Sequence, residues 1–203
     1  MGLLLGKIVQ AGSHIHYVCQ IFGKHEVEAD QVPQPANYAL GSFVSIDLGD
    51  GQGQLVGLIS NTQLLNPEFG NVGPRLSSEP ELQIFTPDYL NERAVLAHII
   101  AIGSISPKGG SQQGVPRLAA RAAAKVEQLT SREIHDFHVV GNALNLTYLP
   151  LVLTQDDLLS KGMMRIVLER LAGVLPDKMH PELEVLWDDL LWRSQITVLG
   201  GGQ

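Results

Sequence analysis

Two pairs of histidines are spaced closely enough to act together on one ligand. His14 and His16 lie two residues apart in a run that alternates apolar and polar side chains, so both are predicted on one face of a strand. They could bind one metal ion if a third ligand, such as His25 or a carboxylate, joined them. The alternative interpretation is two half-exposed strand histidines that bind nothing.

The second pair is His135 and His138, which are three residues apart in a segment that favours helix. This spacing places both rings on one helical face, with Asp136 between them in the sequence. An acid–base or metal pair is conceivable, but the spacing is not that of the zinc protease helix. We therefore keep a metal-dependent hydrolase as an alternative function and predict no metal or other cofactor. The competing interpretation is an amphipathic turn.

A loop rich in Asn, Pro and Gly at residues 66–78 is the main candidate for contacting a partner. It carries Asn66, Glu68, Phe69 and Arg75. Long loops on a rigid sheet often carry function, and the arginine could bind a carboxylate or phosphate with two hydrogen bonds. The alternative is a compact connector in which Glu68 pairs with Arg75.

Three basic residues recur every four positions at Arg117, Arg121 and Lys125, and Arg132 follows soon after. On a helix, the first three would form a stripe able to contact nucleic-acid phosphates. The chain as a whole has a net charge of −7, which argues against general DNA coating. A nucleic-acid-binding barrel is therefore a second alternative, and a solvated helix face is the competing interpretation.

Two tryptophans lie near the C-terminus. Trp187 falls on the apolar stripe of a predicted helix, which favours a core position. Trp192 is offset from that stripe and precedes Arg193, so we consider it as an anchor for a partner, with core packing as the alternative.

The elements that would position these residues are strands in the first half of the chain. Residues 14–22 alternate, with Tyr17 and Cys19 on the face predicted to be buried. Residues 49–53 (GDGQG) predict a hairpin turn, because Asp-Gly tolerates the positive φ that such turns require. Gly57, inside the returning strand, predicts a bulge or a close backbone approach.

The middle of the chain mixes strand and helix signals. Residues 93–102 are nearly all apolar, and their isoleucines favour a strand. The alanine-rich residues 116–129 predict a helix. Thr130 followed by Glu133 predicts the start of a short helix, and residues 144–149 predict one more strand.

The C-terminal part predicts two helices. Residues 156–175 carry apolar side chains at helical spacing and end at Pro176. Pro181 opens the second helix, because proline is well tolerated in the first turn.

Composition places the chain among globular proteins with a sizeable core. It has 203 residues, of which 44% are hydrophobic and 17% are charged. The lone cysteine, Cys19, cannot form an internal disulfide, and the first residues match neither a signal peptide nor a membrane span. We therefore predict a cytoplasmic protein without a membrane partner.

Several short motifs resemble those of a known barrel. They are Gly6-Lys7-Ile8-Val9, Gly41-Ser42-Phe43-Val44 and Leu55-Val56-Gly57-Leu58-Ile59. With them the first two-thirds of the chain resembles the N-terminal β-barrel that HerA-type DNA translocases share with the catalytic subunits of rotary ATP synthases. Gly114-Val115-Pro116 and Ser131-Arg132-Glu133-Ile134 are similar to the HerA segments that follow. The resemblance implies that part of residues 116–129 is extended rather than helical.

The chain departs from those families in one decisive respect. Their barrel precedes a nucleotide-binding domain with a phosphate loop, Gly-x-x-x-x-Gly-Lys-Ser/Thr, and this sequence contains no such segment. The resemblance therefore implies a barrel that lacks the nucleotide-binding domain of those proteins.

Together these observations predict an α+β fold with a small Greek-key-like β-barrel over residues 1–128 and a mainly helical part over residues 129–203. The function they favour is a non-enzymatic interaction or assembly module, with self-association or a protein partner expected. A separate P-loop ATPase is one such partner.

Overall fold

The computed structural model describes residues 2–24, 26–66, 94–154 and 158–199. Within these ranges the chain forms nine strands: β1 (Leu4–Ala11), β2 (His16–Ile21), β3 (Phe43–Asp47), β4 (Gln54–Leu65), β5 (Ala94–Ile105), β6 (Ser111–Gln113), β7 (Lys125–Gln128), β8 (Val139–Val140) and β9 (Ala143–Leu144). Its α-helices are α1 (Ser131–His138), α2 (Leu149–Leu153), α3 (Leu158–Ala172) and α4 (His180–Leu199). Short 3₁₀ turns occupy Ala29–Gln31, Pro35–Tyr38 and Asp177–Met179.

Six antiparallel strands close into a barrel. Their order is β2-β1-β7-β3-β4-β5, and pairing of β2 with β5 completes the ring. The meander β3–β4–β5 is followed by β7, which returns to lie beside β3, as in a Greek key. The predicted α+β fold with a Greek-key-like barrel is thus confirmed.

The hairpin between β3 and β4 forms where the sequence predicts it. Gly49, Asp50, Gly51 and Gly53 all have positive φ, between 51° and 91°. The predicted close approach at Gly57 is also confirmed: the β4–β5 register shifts there, and a Cβ would collide with the Ile99 side chain. A larger residue at this position would push β4 and β5 apart.

The helix predicted over residues 116–129 is wrong. The segment runs as irregular chain into β7, where Val126 pairs with Gly6 of β1 and with Ile46 of β3. Ala123 adopts a φ of 61°, which a helix would not allow. Without β7 the sheet could not close between β1 and β3, so strand pairing overrides the helix propensity of the alanines.

The barrel interior forms one of two hydrophobic cores. Alternate residues of the strands point inward, among them Tyr17, Cys19, Val44 and Ile99, all almost completely buried. Burial raises the pKa of the Cys19 thiol to about 12, so this buried thiol stays protonated and unreactive at neutral pH.

The second core lies between the outer face of the barrel and the helices. Outward-facing Phe43, Leu58 and Ile102 pack in the same cluster as Met164 of α3. Strands β4 and β5 are therefore covered on both faces over this stretch, which explains why residues 93–102 read as a continuous apolar run. Residues 94–102 of that run are a strand, as predicted. The division of the chain at residue 128 stays a prediction.

Helix α1 begins with the predicted capping box. The Glu133 N–H donates to Thr130 Oγ1 at 3.3 Å, and the Thr130 N–H donates to Glu133 Oε2 at 2.8 Å. Gln113 of β6 stabilises the C-terminal end of α1, because its side-chain amide donates to the carbonyls of Phe137 (3.0 Å) and Asn145 (2.8 Å).

The remaining helices agree in part with the sequence. Helix α3 ends at Ala172, three residues before the predicted end, and α4 starts at His180, directly before Pro181. The strand predicted over residues 144–149 is wrong for most of its length: β9 ends at Leu144, and Leu149 begins α2. In the described ranges, no helix is both long enough and apolar enough to cross a lipid bilayer.

Candidate functional site

A cleft of about 500 Å³ opens on the outer face of the barrel. Four segments meet there: the β3–β4 hairpin, the turn after β5, strand β7 and the first turn of α1. Its polar lining residues are Ser45, Asp47, Gln54, Ser106, Lys125, Glu127 and Glu133. A cleft of this size falls within the usual range for small-ligand sites.

The charges that line this cleft are mainly negative. The lining residues include three with carboxylates, Asp47, Glu127 and Glu133, and one with an ammonium group, Lys125. Asp47 accepts a hydrogen bond from the Gly49 N–H at 2.9 Å, and Glu133 is engaged in the cap of α1. Glu127 is half-buried between Leu4 of β1 and Ser45 of β3, and no partner for its carboxylate is found in the described part of the chain.

A second surface is the end of the β4–β5 pair, which we call the outer ribbon: residues 61–65 of β4 and 94–98 of β5. All five β4 residues of the ribbon are exposed, including Leu64 at 76% and Leu65 at 49%. Strand β3 pairs with β4 only between Gln54 and Leu58, so residues 61–65 have no described strand on that edge. Open edges of this kind can accept another strand.

A small apolar groove lies between the segment after β8 and helix α4. It is formed by Leu144, Leu146, Pro181, Val185 and Leu186, and Val185 is 68% exposed.

A buried polar pair joins α1 to α2. The His138 ring is fully buried, with its Nδ1 2.6 Å from the Ile134 carbonyl oxygen and its Nε2 3.1 Å from the Tyr148 hydroxyl. A carbonyl only accepts, so Nδ1 carries the proton and Nε2 accepts from Tyr148. Burial lowers the pKa of His138 to about 4 and raises that of Tyr148, so both groups are neutral at pH 7.

The predicted histidine pairs do not converge on a common point. His14 lies in the turn before β2, 2.8 Å from the Pro116 carbonyl oxygen, while His16 contacts the Ser13 hydroxyl at 2.7 Å. His135 faces Asp136 at 3.0 Å, whereas His138 is sealed in the core. The described residues contain no group of three or more His, Cys, Asp or Glu side chains able to hold a metal ion.

The predicted basic stripe does not form, because its residues do not lie on a helix. Arg121 pairs with Asp50 of the β3–β4 hairpin at 2.7 Å, and Lys125 lies at the start of β7. Arg132 lies 3.8 Å from Asp136 on α1, and Arg117 lies in the irregular segment before β7. Nucleic-acid binding stays an alternative without a continuous stripe to support it.

Most of the predicted partner loop lies outside the described residues, namely Glu68, Phe69 and Arg75. Asn66, which is described, directly follows the outer ribbon. Trp192 lies within α4, but its side chain is outside the description. The partner roles of these residues therefore stay predictions.

The sequence predicted neither the cleft nor the outer ribbon. The cleft brings together residues from positions 45 to 133, and no local spacing connects them. The ribbon did leave a signal: Leu64 and Leu65 are adjacent, so they cannot both lie on a single buried strand face.

Comparison with curated protein sequences finds no match. A family model described as Domain of unknown function (DUF8166) matches residues 1–199, which include both the barrel and the helices. The chain therefore belongs to the DUF8166 family.

Proposed function

We propose that this protein is a non-enzymatic assembly module that binds another protein chain through its outer ribbon. The observation that carries the proposal is the exposure of five consecutive strand residues, 61–65, which include two leucines and have no described strand on one edge. This surface adjoins Asn66, where the predicted partner loop begins.

The composition of the ribbon favours a partner strand. Edge strands that must stay unpaired usually carry charges, proline or a protecting bulge. Residues 61–65 (NTQLL) contain neither a charged residue nor a proline, and the β4–β5 register shift between Ile59 and Asn61 lies at the start of the ribbon, away from Leu64. A second strand added here would gain main-chain hydrogen bonds and would cover Leu64.

Replacing Leu64 by aspartate tests this role. We expect association of the protein to weaken at least about tenfold, because the substitution removes apolar contact and places a charge at the edge. Gel filtration with light scattering over a range of concentrations would measure self-association, and pull-down from native lysate would measure a different partner.

The matched control is Val115→Asp, at an exposed apolar position in the irregular segment before β7. It should leave association unchanged, and both variants should unfold at nearly the wild-type temperature because each replaces a surface side chain. A wild-type protein that is monomeric at every concentration and captures no protein would contradict the proposal. So would equal effects of the two substitutions.

A P-loop ATPase is the partner class that we propose at a finer level. The support is the sequence resemblance of the barrel together with the missing phosphate loop. We expect a pull-down from nuclease-treated lysate to recover a P-loop ATPase with the wild type and not with Leu64→Asp. Recovery only of partners that disappear after nuclease treatment would contradict this proposal and favour the nucleic-acid alternative.

A further inference from the structure

We propose that the apolar groove beside α4 binds a short segment of another protein that carries aliphatic side chains flanked by lysine or arginine. The groove has a volume of about 390 Å³ and lies between the segment after β8 and the first turns of α4. Its size falls within the usual range of sites that enclose small ligands. This inference goes beyond the assembly role, because none of the groove residues belongs to the outer ribbon.

The lining of the groove is apolar and partly open to solvent. Pro181 and Val185 lie one helical turn apart on α4, with Leu186 next to them. Val185 is 68% exposed, a value that only Leu64 exceeds among the large hydrophobic residues described. A single exposed apolar residue is common, but Val185 lines the same groove as four other apolar residues. An aliphatic side chain bound here would remove this surface from water together with its own.

Both walls of the groove are fixed by contacts within the chain. The Asn145 N–H donates to the His138 carbonyl at 2.7 Å, and the Asn145 carbonyl accepts from the Gln113 side-chain amide at 2.8 Å. On the other wall, Leu183 of α4 is only 4% exposed and belongs to the second core. Three lining residues pack against that core from outside, namely Leu144, Leu146 and Leu186. A preformed groove loses little conformational entropy when a partner binds.

The charges beside the groove indicate the chemistry of the partner. Glu182 lines the groove, and Glu184 and Asp188 are exposed on the same helix. Residues 180–190 contain no lysine or arginine, and residues 139–147 on the opposite wall contain no charged residue. Lysine or arginine next to a bound aliphatic side chain would therefore meet opposite charge.

Other occupants fit this charge distribution less well. Asp177 and Lys178, in the turn before α4, cancel in formal charge and do not reverse it. The whole chain has a net charge of −7, so a second copy, an anionic lipid surface or a nucleic acid would meet repulsion. A basic and apolar segment of a partner protein is the occupant that both the lining and the charge favour.

The test is an amide NMR titration of the full-length protein with three end-blocked peptides at constant ionic strength. They are Lys-Leu-Lys-Leu-Lys, Lys-Ala-Lys-Ala-Lys and Glu-Leu-Glu-Leu-Glu. We expect the first to cause saturable shifts around Leu144, Leu146 and Val185. The alanine peptide should bind at least about fivefold more weakly, because it buries less apolar surface, and the glutamate peptide should cause no saturable shift.

Two variants separate the apolar and the charged contributions. Val185→Gln should raise the dissociation constant of the first peptide at least about fivefold, whereas Val115→Gln, at another exposed valine, should leave it unchanged. Glu182→Gln should raise it about two- to fivefold, with a smaller effect at high salt, because the contact is an exposed ion pair. Glu28→Gln, at an exposed position before β3, is the matched charge control.

Four results would overturn the proposal: no saturable shift with the first peptide, equal binding of the glutamate peptide, unchanged affinity in both groove variants, or an equal effect of Val185→Gln and Val115→Gln. Concentration-dependent shifts of the groove amides without peptide would show that a second copy covers the groove, which also contradicts it. Leu64→Asp should bind the peptide as the wild type does, and Val185→Gln should keep the association through the outer ribbon. Failure of peptide binding is therefore distinguishable from failure of the assembly role.

Discussion

Replacing Phe137 by alanine is expected to lower the free energy of unfolding by about 3–5 kcal/mol. Phe137 is completely buried between the barrel and the helices. Its ring packs against Gly103 of β5 so closely that a Cβ at Gly103 would lie 2.8 Å from Phe137 Cζ. Alanine would leave a cavity that rigid strands cannot close, and urea unfolding would measure the loss.

The control for this substitution is Leu118→Ala, at a position that is 46% exposed. It should change the free energy of unfolding by no more than about 0.5 kcal/mol. Similar effects of the two substitutions would mean that α1 does not pack on the barrel in solution.

Lowering the pH from 6.5 to 4 is expected to remove roughly 3 kcal/mol of stability through His138 alone. Burial lowers the pKa of His138 to about 4 in the folded protein, whereas the unfolded chain takes up this proton near pH 6.5. Between these values the unfolded state binds more protons than the folded state, so acid favours unfolding. The contribution is fully present above pH 6.5 and is lost as the pH falls through 4.

Urea unfolding at several pH values would measure this effect in the wild type and in His138→Phe. Because the Tyr148 hydroxyl would lose its partner, the double variant with Tyr148→Phe should accompany it. Both variants should show a weaker pH dependence than the wild type, while His135→Gln, at a more exposed ring on the same helix, should keep it. Parallel pH profiles for the wild type and the double variant would contradict the assignment.

Much of the barrel could be predicted because its signals are local. Tyr17 and Cys19 alternate with more exposed neighbours, and both are buried in the interior. The Asp50-Gly51 turn and the Thr130–Glu133 cap each depend on two residues close in sequence. Backbone sterics and short-range side-chain hydrogen bonds determine such features without contacts from distant segments.

The error at residues 116–129 has the opposite cause. Alanines there favour a helix locally, but Val126 is needed in the interior and pairs with two distant strands. The free energy gained when distant strands pair depends on contacts between them, so the helix or strand propensity of a single residue does not reveal it. The barrel resemblance implied an extended segment, and that expectation is confirmed for Lys125–Gln128.

The candidate sites also differ in whether a local sequence signal points to them. The histidine pairs were suggested by spacing, yet His138 is sealed in the core and His135 is partly exposed. The cleft around Ser45 and Glu127 has no sequence signature, because its walls come from four separate segments.

The sequence by itself determined the strands that alternate, the glycine hairpin, the cap of α1 and the C-terminal helices, since each follows from interactions within a few residues. Only the tertiary structure decided that β7 closes the barrel, that His138 is buried and that the walls of the acidic cleft meet. The closure of the barrel depends on contacts between residues more than a hundred positions apart, such as Leu4 with Glu127. The free energy that stabilises these features comes from contacts between distant chain segments, which a local sequence pattern does not contain.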